Sequence, residues 1–339
     1  VSADTLVVTG VGAVTPWGHD PSRLGLDGGP PPDPHGPWFD VAAELGPRGY
    51  KYVPASCRHL LAATRRALTD AGDVLGRVPE ARRGMAVGTN NGITTLIDTM
   101  DETVSGPGAA RLSPATAPYF SINTLAGRVA MDHGIKGWNL TLTSPRTASL
   151  DALGAGARAF AAGRCDLLLA GTTEAPLPGR TKGHAVSEAG AAVLVLEPAA
   201  GAAARGADHY GTCRTVSFHL PAGAPYDAAR RTSGDALDRL LAPGGRGGLP
   251  AARLISDASP VGAALAAHLR GLGVRTHAVP AGAGTLLPFL YVVHALARQG
   301  PPRLVAAASP EGGCALTLVR PYRPAAMTAR TPDPEKEER

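Results

Sequence analysis

Short runs of apolar residues alternate along this chain with longer stretches in which apolar residues recur at helical spacing. Residues 5–14 (TLVVTGVGAV) predict a buried strand that runs into a glycine-rich turn closed by Pro16 and Gly18. A Pro/Gly-rich surface excursion covers 20–50. Leu60, Leu61, Ala67 and Leu68 then mark a helix over 54–71, which Gly72 stops. A short strand at 84–88 leads into polar Thr89-Asn90-Asn91-Gly92. Further on the pattern predicts a helix over 118–132, an alternating strand over 138–143, and a helix over 145–162 with Pro145 in its first turn. Residues 166–171 (DLLLAG) and 191–196 (AAVLVL) predict fully buried strands.

The second half repeats this grammar. The run VLVLEP (193–198) is echoed by ALTLVRP (315–321), and LLLAGTT (167–173) by LVAAAS (304–309). Helices at 260–272 and 285–299 sit between strands at 253–256 and 274–279. Strands alternating with helices imply parallel sheets covered by helices, and two similar halves imply a duplicated α/β unit. The expected organisation is one domain over 1–322, with halves of about 1–200 and 205–322 and a disordered charged tail at 323–339.

Composition narrows the function. A chain of 339 residues with 44% hydrophobic and 18% charged residues can bury a large core and is not of disordered type. The best apolar stretch, 285–297, is too short for a bilayer and carries Pro288 and His294, and the amino terminus reads as a strand. A soluble, cytoplasmic protein that makes no membrane contact is expected. The 4 cysteines lie far apart without a CxxC pair or an HExxH helix, so neither a disulfide framework nor a metal site is predicted. The charge of +5 is scattered as isolated arginines and aromatics reach only 4%, which argues against a nucleic-acid partner. GVGAVT (10–15) falls short of a dinucleotide fingerprint: Thr15 stands for the last glycine and Pro16 blocks the helix. Glycines needed for close packing explain it better, and no cofactor is expected.

The segments LVVTGVGAVTPWG (6–18), GTNNGI (88–93), NTLAGRVAMDHGIKG (123–137), SLDALGAGARAFAAGRCDLLLAGTTEA (149–175) and GHAVSEAGAAVLVLEP (183–198) together resemble the β-ketoacyl synthases of the thiolase superfamily. The resemblance implies a duplicated, five-layered αβαβα fold. It also implies a cysteine at the start of a buried helix, activated as a thiolate by the helix dipole, and two histidines that support decarboxylation and the oxyanion. Here the nucleophile's place falls on Arg146, the first histidine's on or next to Asp257, and the second's on Thr285. Pro280 stands for the supporting lysine and Glu311 for the gating Phe. Arginine stays protonated and cannot attack a carbonyl. Only residues 175–182 separate Glu174 from Gly183, where active enzymes carry several tens.

Within that family the pattern resembles the chain length factor, or KSβ subunit, of type II polyketide synthases, which pairs with an active ketosynthase and meets the acyl carrier protein through the complex. The short chain is similar to those of highly reducing, polyene-type systems, although Arg146 departs from the Gln often found there. The resemblance implies a pairing strand with Trp138, Leu140 and Leu142. It also implies a tunnel-lining segment with Thr116, Pro118, Tyr119, Phe120 and Asn123. Glu174 and Glu188 read as hydrogen-bonded scaffold carboxylates. An Arg146–Asp257 ion pair is expected to fill the emptied centre, with an anion held by Arg146 as the alternative. Two other functions stay open: a carrier-dependent decarboxylase or hydrolase using Ser144 or Thr147, and a homodimeric acyl-binding scaffold.

Overall fold

The computed structural model describes residues 5–26, 32–223, 226–241 and 251–322; the charged tail expected at 323–339 lies outside them. The first half runs β1 (Leu6–Val14), α1 (Val41–Leu45), α2 (Ala55–Ala71), β2 (Arg83–Gly88), α3 (Thr94–Ser105), α4 (Thr124–His133), β3 (Asn139–Leu142), α5 (Ala148–Ala161), β4 (Leu167–Glu174), β5 (Gly190–Pro198) and α6 (Ala199–Ala204). The second half runs β6 (Gly211–His219), α7 (Tyr226–Leu241), β7 (Ala252–Ser256), α8 (Pro260–Gly271), β8 (Thr276–Pro280), α9 (Leu286–Ala297), β9 (Arg303–Ala308) and β10 (Gly313–Pro321).

The strands join in one 10-stranded sheet of order β3-β2-β4-β5-β1-β6-β10-β9-β7-β8. Read outward from the centre, β1-β5-β4-β2-β3 mirrors β6-β10-β9-β7-β8, so the sequence repeat is a structural duplication. The halves meet through the Val8–Gly211 pairing of β1 with β6. The sheet is mixed, where parallel sheets were expected. The 175–189 connection between β4 and β5 holds only a 3-10 turn (His184–Val186), so the chain reverses and the strands pair antiparallel. The same reversal joins β9 to β10.

Both faces of the inner strands are buried, with period two. Ala192, Leu194 and Leu196 of β5 face the central core with α5 and α9, whereas Ala191, Val193 and Val195 face an outer core with α2 and α4. In β9, Val305 and Ala307 face the central core, while Leu304, Ala306 and Ala308 pack toward α7 and α8. The result is the thiolase-like αβαβα layering. Glycines permit the closest approach of β1 to α2: a Cβ on Gly10 would lie 2.2 Å from the Ala67 carbonyl, and one on Gly12 2.1 Å from that of Ala63. The GVG run is therefore a packing device.

Two predicted helices differ. The 118–132 helix is instead a 3-10 segment (Pro114–Phe120) that contains Pro118, followed by α4; the Pro118 carbonyl accepts the Thr124 hydroxyl at 2.6 Å. The 145–162 helix starts at Ala148, leaving Pro145 outside it. Among the described residues, no helix is long and apolar enough to cross a membrane.

Candidate functional site

The central helices α5 and α9 begin side by side at one end of the sheets, and the connections before them carry the site. After β3 the chain turns sharply through Ser144-Pro145-Arg146-Thr147. Thr147 N–H donates to the Pro145 carbonyl at 2.8 Å and Ala148 N–H to that of Ser144 at 3.0 Å. Arg146 is forced to φ 61°, a left-handed conformation costly for a residue with a Cβ. Such a turn projects one side chain from the start of a buried helix toward the opposite half.

That side chain meets Asp257, just beyond β7. Arg146 Nη2 lies 3.2 Å from Asp257 Oδ2, with the two side chains 20% and 28% exposed. Burial alone would raise the Asp257 carboxyl. Hydrogen bonds from Ser259 and the Arg146 charge outweigh that and hold it below the usual range. The pair offsets the penalty of about 0.3–1 kcal/mol for a cation at the positive end of α5. Arg146 Nη1 is buried without a hydrogen-bond partner among the described residues.

Thr285 occupies the position before α9 and is fully buried. Its hydroxyl accepts from Ser149 N–H at 2.9 Å and donates to Ser149 Oγ at 3.0 Å, tying the starts of α5 and α9 together. The Thr147 hydroxyl donates to Asp151 at 2.7 Å, and the Ser217 hydroxyl reaches the same carboxylate at 2.5 Å. Thus α5 has an anionic first turn and internally occupied N–H groups at Ala148, Ser149 and Asp151. Neither Ser144 nor Thr147 is bonded to an imidazole among the described residues. Pro280 ends β8, and exposed Glu311 accepts the Ser309 hydroxyl.

The cysteines offer no substitute nucleophile. All 4 are buried and free; burial pushes Cys57, Cys213 and Cys314 up to about 12 and Cys165 to about 11.

Behind the turn lies a buried carboxyl pair. Glu174 Oε1 accepts from Asn90 N–H at 2.8 Å and Thr285 N–H at 3.0 Å, and Oε2 from Asn91 N–H at 2.7 Å. Glu188 Oε2 accepts from Leu286 N–H at 2.8 Å, at the start of α9. Both are scaffold groups in this sense, yet burial pushes Glu174 up to about 8, helped by the Glu188 charge, and Glu188 to about 7. A Cβ on Gly284 would lie 2.6 Å from Glu188 Oε2 and 2.8 Å from Glu174 Cδ, so only glycine fits between them. Asn90 and Asn91 side chains both donate to the Ala283 carbonyl at 3.0 Å. Sequence reasoning missed Asn90, Asn91 and Ser149; the polar TNNG run after β2 was the visible signal for the two asparagines, and Ser149 had none.

The expected partner-facing residues divide. Phe120 is 55% exposed, Pro118 and Asn123 are exposed, and Thr116 is half-buried with its hydroxyl on the Ser113 carbonyl at 2.8 Å. Tyr119 differs from them: it turns inward into the outer core beside Cys57, because neighbouring residues of a 3-10 turn point in different directions. Trp138, Leu140 and Leu142 are partly buried on and beside β3, the open edge of the sheet, and α4 packs beside it with Met131 73% exposed.

The fold is thiolase-like, of the ketosynthase type. Residues 40–202 match the family described as beta-ketoacyl synthase, N-terminal domain. That match spans just under half of the chain, whose fold is ketosynthase-like. Over an alignment 348 positions long the chain is 27% identical to the tetracenomycin polyketide synthase ketoacyl synthase alpha subunit of Streptomyces glaucescens, covering 88% of this chain and 76% of that one. It is 28% identical over 136 residues to 3-oxoacyl-acyl-carrier-protein synthase 2 of Vibrio cholerae, a match that spans 40% of this chain and only 33% of that enzyme. Among solved structures, a type II polyketide ketosynthase complexed with its acyl-carrier protein and bound to the hexaketide has a TM-score of 0.72 at 18% identity, covering 93% of this chain and 98% of that one. The ishigamide ketosynthase/chain length factor gives 0.69 at 21%, covering 94% and 100%.

Proposed function

We propose that this chain is a non-catalytic, cytoplasmic ketosynthase-like subunit, a chain length factor. In this reading it pairs with an active ketosynthase, shapes the acyl tunnel of the complex, and meets the acyl carrier protein there. The carrying observation is the Arg146–Asp257 pair at 3.2 Å, which puts an ion pair where the family's chemistry needs a thiolate and an imidazole. Thr285 supports the reading, because its hydroxyl is bonded to Ser149 at the start of α5 and titrates at no working pH. A relocated hydrolase is disfavoured, since the Thr147 hydroxyl is engaged by Asp151, a carboxylate shared with Ser217, rather than by an imidazole. The β3 edge, with exposed Met131 on the adjoining α4, supports pairing.

Co-expression with ketosynthases that carry an intact Cys-His-His set tests this. A stable 1:1 heterodimer, with acyl label on the ketosynthase alone during turnover, is expected. A homodimer that ignores every ketosynthase, or a covalent acyl group on this chain, overturns it.

A further inference from the structure

A cavity of about 350 Å³ opens between the turn after β1, residues 33–35, the 184–188 segment and the residues that follow β8. This is the size of an ordinary small-molecule site. Trp17 and Leu287 supply apolar wall, and the rings of His35 and His184 stand 4.6 Å apart. The titratable lining is Asp33, His35, His184 and Glu188, without a lysine or arginine among the described residues.

Glu188 is the deepest of these, 3% exposed. Its Oε2 is bonded to the start of α9, but its Oε1 is buried with no hydrogen-bond partner. A buried carboxyl oxygen left without a hydrogen-bond partner is unfavourable, so it is a site awaiting one. Gly282 keeps space around that oxygen: a Cβ there would lie 2.1 Å from Oε1. His184 Nδ1 lies 2.8 Å from the Leu177 carbonyl, which fixes the proton on Nδ1 and leaves Nε2 an acceptor in the neutral ring. The Arg146 guanidinium, whose field reaches Glu188, is not part of this lining and is held by Asp257.

We propose that this cavity binds a small organic cation with an apolar or aromatic body. The ammonium donates to Glu188 Oε1, and the body lies against Trp17, the His35–His184 rings and Leu287. A cation over aromatic faces gains further attraction, and an anion of the same shape finds no lysine or arginine in this lining to pair with.

The test is titration of the full chain with phenethylammonium and, as its anionic twin, 3-phenylpropionate, followed by tryptophan fluorescence and calorimetry. Saturable 1:1 binding of phenethylammonium is expected, weakened by at least about tenfold in Glu188→Gln. That variant keeps an oxygen for the Leu286 N–H. Should it fail to fold, Trp17→Leu on the cavity wall is expected to weaken binding by a similar factor. Equal binding of both probes, unchanged affinity in the folded variant, or no saturation in the millimolar range overturns the proposal. Heterodimer formation is read separately, so failure here leaves the subunit assignment standing.

Discussion

Arg146 and Asp257 face each other across the seam between the two halves, Nη2 to Oδ2 at 3.2 Å. Arg146 stands between β3 and α5 and Asp257 just after β7, so the contact closes the central layer where the duplicated units meet. Removing one partner leaves a charge in a largely dry pocket. Asp257→Asn is expected to lower stability by about 1–3 kcal/mol, read by urea unfolding. The double variant with Arg146→Gln should recover part of that loss. Strict additivity of the two single changes would show that the ions do not act as a pair.

Restoring the thiol alone should restore no chemistry. Arg146→Cys places a cysteine at the start of α5, but Asp257 and Thr285 supply no imidazole. Decarboxylation of malonyl carrier protein by the variant is expected to stay at the wild-type background. A rise of a hundredfold or more would mean that a base exists elsewhere.

Thr285 carries a structural load. Thr285→Val removes the acceptor for Ser149 N–H and the bond to Ser149 Oγ while keeping shape. The expected cost is about 1–3 kcal/mol, with faster hydrogen exchange at the start of α5. Thr285→Ser should retain most of the stability.

The buried glutamates make a pH prediction. Their pKa values rise on folding from an ordinary 4.5 to about 8 for Glu174 and about 7 for Glu188, so the folded state holds protons that the unfolded chain releases. Their contribution is fully present below about pH 4.5 and is lost as pH rises through about 7 to 8. Asp257, held low, acts in the opposite sense and loses its contribution as pH falls. Glu188→Gln should therefore show a shallower fall in stability than wild type between about pH 5 and 8, measured by denaturant midpoints. Parallel profiles would place the titrating groups elsewhere.

The proposed pairing predicts that association and folding can be separated. Met131→Asp is expected to leave the melting temperature within a degree or two, since the side chain is 73% exposed, while weakening the heterodimer about tenfold or more. In the assembled complex, Thr116→Phe should shorten the products seen by mass spectrometry. Unchanged product length in an intact heterodimer would remove Thr116 from the tunnel.

Much of the frame was legible because burial writes itself locally. The fully apolar runs that became β4 and β5 had to be strands buried on both faces, and their echoes in β9 and β10 disclosed the duplication. The start of α5 was harder. Pro145 fits a helix's first turn, but the strained Arg146 turn moves the helix start three residues on, a geometry fixed by what the side chain must reach. Tyr119 shows the same limit, because its inward orientation depends on the core beside Cys57.

By itself the sequence determined the alternation of elements and the two similar halves, and its resemblance implied a shared place for Arg146, Asp257 and Thr285. Those features depend on side-chain type and spacing, which act over one element at a time. Only the tertiary structure decided that Thr285 bonds to Ser149, 136 positions away, that the Glu174 and Glu188 carboxyls lie together between glycines, and that Glu188 keeps one oxygen without a donor. Such contacts depend on how the two halves pack against α5 and α9, and no local pattern records the distance between atoms brought together that way.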